Sequence, residues 1–115
     1  MPSKNKLNVL WTTDNRDSFL SMIAMYTHNA RLRNWFENVN MIIWGPSARL
    51  VSEDKEIQTR ILKMIEDGIS MEACKACADM YGVASRLENL GVDVRYMGTS
   101  LTEYLKSDDE VVISF

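Results

Sequence analysis

Three observations predict an α/β fold built on a parallel sheet. Five short apolar runs of strand length punctuate the chain, stretches with apolar residues at helical spacing separate them, and helix-start signals follow the runs. The order is βαβαβαβαβ, and right-handed crossovers turn it into a parallel sheet with helices on both faces. At 115 residues the chain has the size of one domain, 1–115, with no linker, low-complexity tract or internal repeat.

Leu7 to Trp11 is the first strand, and Thr12-Thr13-Asp14-Asn15 offers side-chain oxygens to cap the helix that follows. That helix carries Phe19, Leu20, Ile23, Ala24 and Thr27 at helical spacing. Met22, Met25 and Tyr26 widen the stripe enough to predict burial on more than one side. Val39 to Trp44 is the second strand, closed by Gly45-Pro46. Ser52-Glu53-Asp54 opens the next helix with an acidic first turn, Ile57, Ile61, Leu62 and Ile65 form its core face, and Gly68 ends it.

Ile69 to Ala73 is the third strand, and it leads into a short helix that Gly82 stops. Ser85-Arg86-Leu87-Glu88 and Ser100-Leu101-Thr102-Glu103 match the capping-box pattern and predict two further helix starts. Between them Val92 to Met97 alternates apolar and polar residues, which predicts an exposed or edge strand. Val111 to Phe115 is apolar enough to predict an inner strand.

A hydrophobic content of 46% and a charged content of 25% are ordinary globular values. A formal charge of −3 leaves no basic field for phosphate backbones, so nucleic acid is not expected as a partner. The polar stretch Met-Pro-Ser-Lys-Asn-Lys and the return of polar residues at Thr12 fit neither a signal segment nor a membrane span, so a cytoplasmic protein is expected.

The only two cysteines stand three apart in MEACKACADMYGV. In a reducing compartment that spacing points to catalysis, redox chemistry or metal binding rather than a structural disulfide, with packing of two small apolar residues as the plain alternative. Cys74 falls at the carboxyl end of a strand, where parallel sheets gather their chemistry. A helix N-terminus there and the neighbouring Lys75 lower a thiol's pKa, whereas Glu72, on the same side of the strand, raises it. Cys77 lies one helical turn on, within reach as a resolving thiol.

Trp44, Gly45 and Ser47 follow the second strand at the same edge, either as a wall of the site with Ser47 as a polar contact, or as a strand-ending turn with a packed indole. Thr12, Thr13 and Asp14 raise the same choice, with capping as the simpler role. A zinc site needs four ligands, and two thiols with the single His28, mid-helix and remote in sequence, do not supply them in one chain, although two chains could pool their pairs. No metal or other cofactor is expected. His28 and Tyr81 are read as packing residues, and the eight methionines as core and interface filler.

The stretch GISMEACKACADMYGV, with LGVDVRYMG and the apolar VVISF after it, resembles the DsrE/DsrF-like small proteins of sulfur relay, which place a key cysteine after the third strand and a glycine eight positions later, as Cys74 and Gly82 stand here. VNMIIWGPSARL resembles a short cytoplasmic subgroup, so the likeness runs from about Leu7 to Phe115. It implies a three-layer α/β/α domain with a five-stranded parallel sheet, flavodoxin-like in general architecture. It also implies assembly into trimers or hexamers, sulfur donor and acceptor proteins as partners, Cys74 as the residue that holds sulfur as a persulfide, and Cys77 as a second thiol present in some members. Three functions follow as expectations: a persulfide carrier using Cys74, a dithiol redox protein using both cysteines, or a non-catalytic small-ligand-binding oligomer.

Overall fold

Alternation along each strand decides which side of the sheet a residue serves. In β1 (Lys6–Trp11) and β2 (Asn38–Ile43) the residues Leu7, Val9, Trp11, Val39, Met41 and Ile43 enter one large apolar cluster. Asn8, Leu10, Asn40 and Ile42 lie on the opposite face. The computed structural model describes residues 4–115; the first three residues of the polar amino-terminal stretch lie outside the described residues.

The remaining strands are β3 (Ser70–Cys74), β4 (Asp93–Arg95) and β5 (Glu110–Ser114). The sheet has the order β4-β3-β2-β1-β5, with every pairing parallel. This is the predicted class, and the order has a consequence. The crossovers β1→β2→β3→β4 all step the same way, so right-handedness places their helices on one face. The return from β4 to β5 crosses three strands in the other direction and puts its helix on the other face.

The crowded face carries α1 (Arg16–Ser18), a π-helical turn (Phe19–Ile23), α2 (Ala24–Leu32), α3 (Ser47–Glu53), α4 (Lys55–Glu66), α5 (Lys75–Tyr81) and α6 (Ala84–Asn89). The sparse face carries only α7 (Gly98–Lys106) among the described residues. On the crowded face Phe19 stacks on Trp11 with ring centroids 4.0 Å apart, and Ile23, Val51, Ile57, Ile61, Met64 and Leu87 close the core.

Several boundaries differ from the sequence reading, each for a local reason. The helix expected to open at Ser52-Glu53-Asp54 already runs from Ser47, and Asp54 breaks it in extended conformation before capping α4, its carboxylate accepting from the Ile57 N–H at 3.0 Å. Leu62 is exposed and Met64 replaces it in the core, because the buried stripe follows 57, 61 and 64. Neither capping-box serine caps: α6 starts at Ala84, and α7 starts at Gly98 with the Ser100 hydroxyl accepting from Arg95 at 2.9 Å. Asn15, not a threonine, caps α1, while the Thr12 hydroxyl donates to the Phe115 carbonyl at 2.8 Å.

The fourth strand shrinks to three residues but lies at an edge, as its alternation predicts. Val111–Phe115, expected inside, forms the other edge: only Val111 and Phe115 pack on the main core, and Ser114 is exposed. The wide stripe of the first helix is buried on one side only, with Met22, Met25 and Tyr26 between 41% and 50% exposed. Gly82 ends α5 at φ +69°, where a side chain is strained, and so lets the chain turn at once into α6.

Asp54 supplies the first stability test. The Ile57 N–H, aided by the Arg16 guanidinium, holds its carboxyl below the usual range despite opposition from burial. A depressed carboxyl adds stability that is complete above the unfolded pKa and is lost as pH falls through the folded one. Asp54→Ala should therefore cost about 1 kcal/mol at neutral pH in urea denaturation, and the deficit should shrink toward acid pH. An equal deficit at both pH values would mean that the cap is not the cause.

Candidate functional site

On the sparse face the sheet divides along its length. Along β1, β2 and β3 the residues toward the amino ends are polar and those at the carboxyl ends are apolar, while Arg95 on β4 stands level with Cys74. The polar half is organised around Glu72, which is 5% exposed. Its carboxylate accepts from Asn40 Nδ2 at 2.7 Å, from the Tyr104 hydroxyl at 2.8 Å and from the Arg95 guanidinium. The network continues through Asn40 to Asn8 at 3.0 Å and to Ser70 at 2.8 Å, then from Asn8 to Glu110 at 3.1 Å. Lys6 extends it over the Tyr104 ring. Burial, with the Glu72 carboxylate beside it, pushes the Tyr104 phenol up to about 12, so it stays a protonated donor.

The apolar half holds both cysteines. Ile42, Cys74 and Met97 are buried together, with Leu10, Trp44, Cys77, Leu101 and Tyr104 packed around them. Cys74 is the last residue of β3 and the N-cap of α5, and it is 5% exposed. Cys77 is half-buried, and both thiols are free. Burial pushes the Cys77 thiol up, and the adjacent Cys74 adds to this, while the Gly45 backbone N–H acts in the opposite sense. At neutral pH Cys77 is therefore a protonated thiol.

The residues picked out from sequence separate into two sets. Cys74, Cys77, Trp44 and Gly45 come together at the carboxyl edge. Ser47, Glu72 and Lys75 are near in sequence but committed elsewhere. The Ser47 hydroxyl, buried, donates to the Trp11 carbonyl at 2.7 Å and accepts from the Trp44 N–H at 3.2 Å, so it ties the turn to β1 rather than offering a polar contact. Lys75 turns along its helix to Asp79 at 2.7 Å, which raises its pKa and draws the ammonium away from Cys74. Glu72 shares the face of Cys74, as strand alternation requires, but its charge is met by Arg95.

His28 lies far from the cysteines, buried, with Nε2 2.6 Å from Asp67. Asp14 pairs with Arg49 at 2.8 Å, and Tyr81 packs against the main core. The sequence reading missed Arg95, Tyr104, Asn40 and Met97. The polar residues at alternate positions of otherwise apolar strands, Asn8 and Asn40, were the available signal for the network. Met97 had none.

Two solved structures share the fold. The chain is 50% identical to the conserved protein of unknown function BT1422 from Bacteroides thetaiotaomicron, with 96% of this chain and 95% of that one covered and a TM-score of 0.92; it belongs to the same family. The ychN protein from E. coli shares the fold at 15% identity, with a TM-score of 0.71 over the full length of both chains. No protein-family model and no functionally curated protein matches the chain. Among the described residues no helix is long and apolar enough to cross a membrane.

The geometry ranks two classes of polar contact. Glu72→Gln removes the charge that faces Arg95 inside the network and should cost about 1–3 kcal/mol in urea denaturation. Asp14→Asn, in an exposed pair with Arg49, should cost less than about 0.5 kcal/mol. Equal losses would show that the Glu72 network carries no special share of stability.

Proposed function

We propose that this chain is a DsrE/DsrF-like sulfur carrier in which Cys74 holds a persulfide. The observation that carries the reading is the unequal pair of thiols: Cys74 buried in an apolar cluster, Cys77 half-buried beside it with its pKa raised by burial. The DsrE/DsrF-like arrangement of Cys74 and Gly82, now placed at the start and stop of α5, supports the same reading.

In the loading step the Cys74 thiolate attacks the outer sulfur of a donor persulfide, R–S–SH. A bond forms between Cys74 Sγ and that sulfur, the donor S–S bond breaks, and the products are Cys74–S–SH and R–S⁻. Unloading repeats the exchange with an acceptor thiolate. The hazard is Cys77, whose thiolate would attack Cys74 Sγ, close a disulfide and release HS⁻. Only the thiolate does this, and the raised pKa of Cys77 withholds it at neutral pH. The neighbouring thiol is thereby compatible with a carrier, and the dithiol redox reading becomes what the site does at high pH. The donor and acceptor proteins, a cytoplasmic setting and a homo-oligomer belong to this proposal as well.

Reduced protein treated with polysulfide and freed of excess should gain one sulfur in intact mass. Cys74→Ser should abolish the gain and Cys77→Ser should retain it. The reverse pattern, or no gain in the native chain, would overturn the carrier. Sulfide release from loaded protein should be slow at neutral pH and should accelerate as pH rises through and above the usual thiol range. In Cys77→Ser that acceleration should vanish, and a pH-independent release in the native chain would remove Cys77 from the account.

A further inference from the structure

We propose that the apolar cluster holding the two cysteines also binds one copper(I) ion per chain, through the thiolates of Cys74 and Cys77 and the thioether of Met97. Two cysteines alone leave a metal short of ligands, and Met97 adds a third sulfur to the same cluster.

Three sulfur atoms from three separate elements enter one small cluster: Cys74 from the end of β3, Cys77 from α5, and Met97 from the N-cap of α7. Cys74 pairs in register with Arg95, the last residue of β4, and Met97 follows two residues later as the N-cap of α7, where it joins the cluster of Cys74 and Ile42. Met97 is 1% exposed and packs with Cys74 and Ile42.

Hard donors near the cluster are spent. The Glu72 carboxylate serves Asn40, Arg95 and Tyr104, and the Tyr104 hydroxyl donates back to it. His28 is held by Asp67 at another part of the molecule. What remains is a set of two thiols and a thioether in apolar surroundings. Thiolate and thioether sulfur suit copper(I), zinc and iron–sulfur clusters, and of these copper(I) is the one that three sulfur donors in a single chain can satisfy. Zinc needs a fourth ligand, which one chain does not bring here. Half-buried Cys77 gives the ion a point of entry, and the buried Cys74 and Met97 keep the bound ion dry.

Binding is an exchange without electron transfer. Two S–H bonds break and two Cu–S bonds form with thiolate sulfur; the thioether adds its lone pair. Two protons leave to solvent, and copper enters and stays as copper(I). Sulfur loading consumes the Cys74 thiolate, so persulfide and copper exclude one another at this site.

The test uses the reduced full chain under anaerobic conditions, titrated with copper(I) against the chromophoric chelator bicinchoninate. One equivalent per chain should bind, with either Cys74→Ser or Cys77→Ser removing it. Met97→Leu, a near-isosteric change that the core tolerates, should weaken binding by roughly tenfold or more. X-ray absorption of the native complex should show three sulfur neighbours and no nitrogen or oxygen, and Met97→Leu should show two. Half an equivalent per chain, zinc binding as tight as copper(I), or unaltered affinity and sulfur count in Met97→Leu would each overturn the proposal. The native absorption spectrum decides the ligand count even if a variant fails to fold.

Discussion

Much of the sparse face depends on one buried carboxylate. Glu72 sits on β3, next to the edge strand β4, and its partners come from β2, β4 and α7. A carboxylate taken from water into a protein interior is costly unless its charge is paired and its lone pairs are met. Arg95, Asn40 and Tyr104 meet that requirement, and each can do so only if its own element is in place. β4 is three residues long and joined to one neighbour. It gains its position as much from the Arg95–Glu72 pair as from its few ladder bonds. The same holds for α7, a single helix on a face that elsewhere would need several.

The division of that face explains where chemistry can occur. Polar groups fill the amino half of β1, β2 and β3 and answer one another there, with Arg95 reaching Glu72 from the end of β4. The carboxyl half is left to Ile42, Leu10, Trp44, Met97 and the cysteines. Hydrogen-bonding capacity near the thiols is low, apart from the Gly45 N–H. Cysteine chemistry in such surroundings is governed by burial rather than by cationic neighbours, as the upward displacement of Cys77 shows. The Lys75 ammonium, adjacent in sequence to Cys74, has Asp79 one turn along as its partner. Adjacency in sequence therefore misleads about electrostatics wherever an i,i+4 partner exists.

How far the sequence reveals the molecule follows from how local each signal is. Strand identity rests on runs of apolar residues and glycine stops, both of which are local, and the parallel class follows from order alone. Strand position within the sheet is not local. Val111 to Phe115 reads as an inner strand from composition, but the long return from β4 delivers it to the open side of β1. Its apolar residues serve one face only. Capping boxes fail at Ser85 and Ser100 for a related reason: Gly82 and the turn after Arg95 start each helix earlier, and tertiary partners claim the Ser100 hydroxyl. At the site, the cysteines and the Trp44-Gly45 turn are legible because their place at strand ends is a matter of order. Glu72 is visible as a residue but not as a hub, since Arg95 and Tyr104 reach it from 23 and 32 residues away.

An apolar replacement for the Glu72 network would hold α7 to the sheet as well or better, because buried ion pairs rarely exceed hydrophobic packing in stability. The network must therefore be valued for what packing does badly, which is fixing position. Apolar side chains of similar volume allow a helix to shift by a fraction of a turn at low cost, whereas a carboxylate with three directed partners does not. Met97 caps the first turn of α7, and Arg95, two residues before it, is bonded both to Glu72 and to Ser100 inside that helix. The segment from 95 to 104 is thus pinned at both ends to the same carboxylate, with Met97 held between the pins and against Cys74. A chain that needed only a covered sheet would have no use for this constraint. The constraint instead fixes Met97 in the cluster around Cys74, so the Glu72 network sets the place of residues packed on that cysteine.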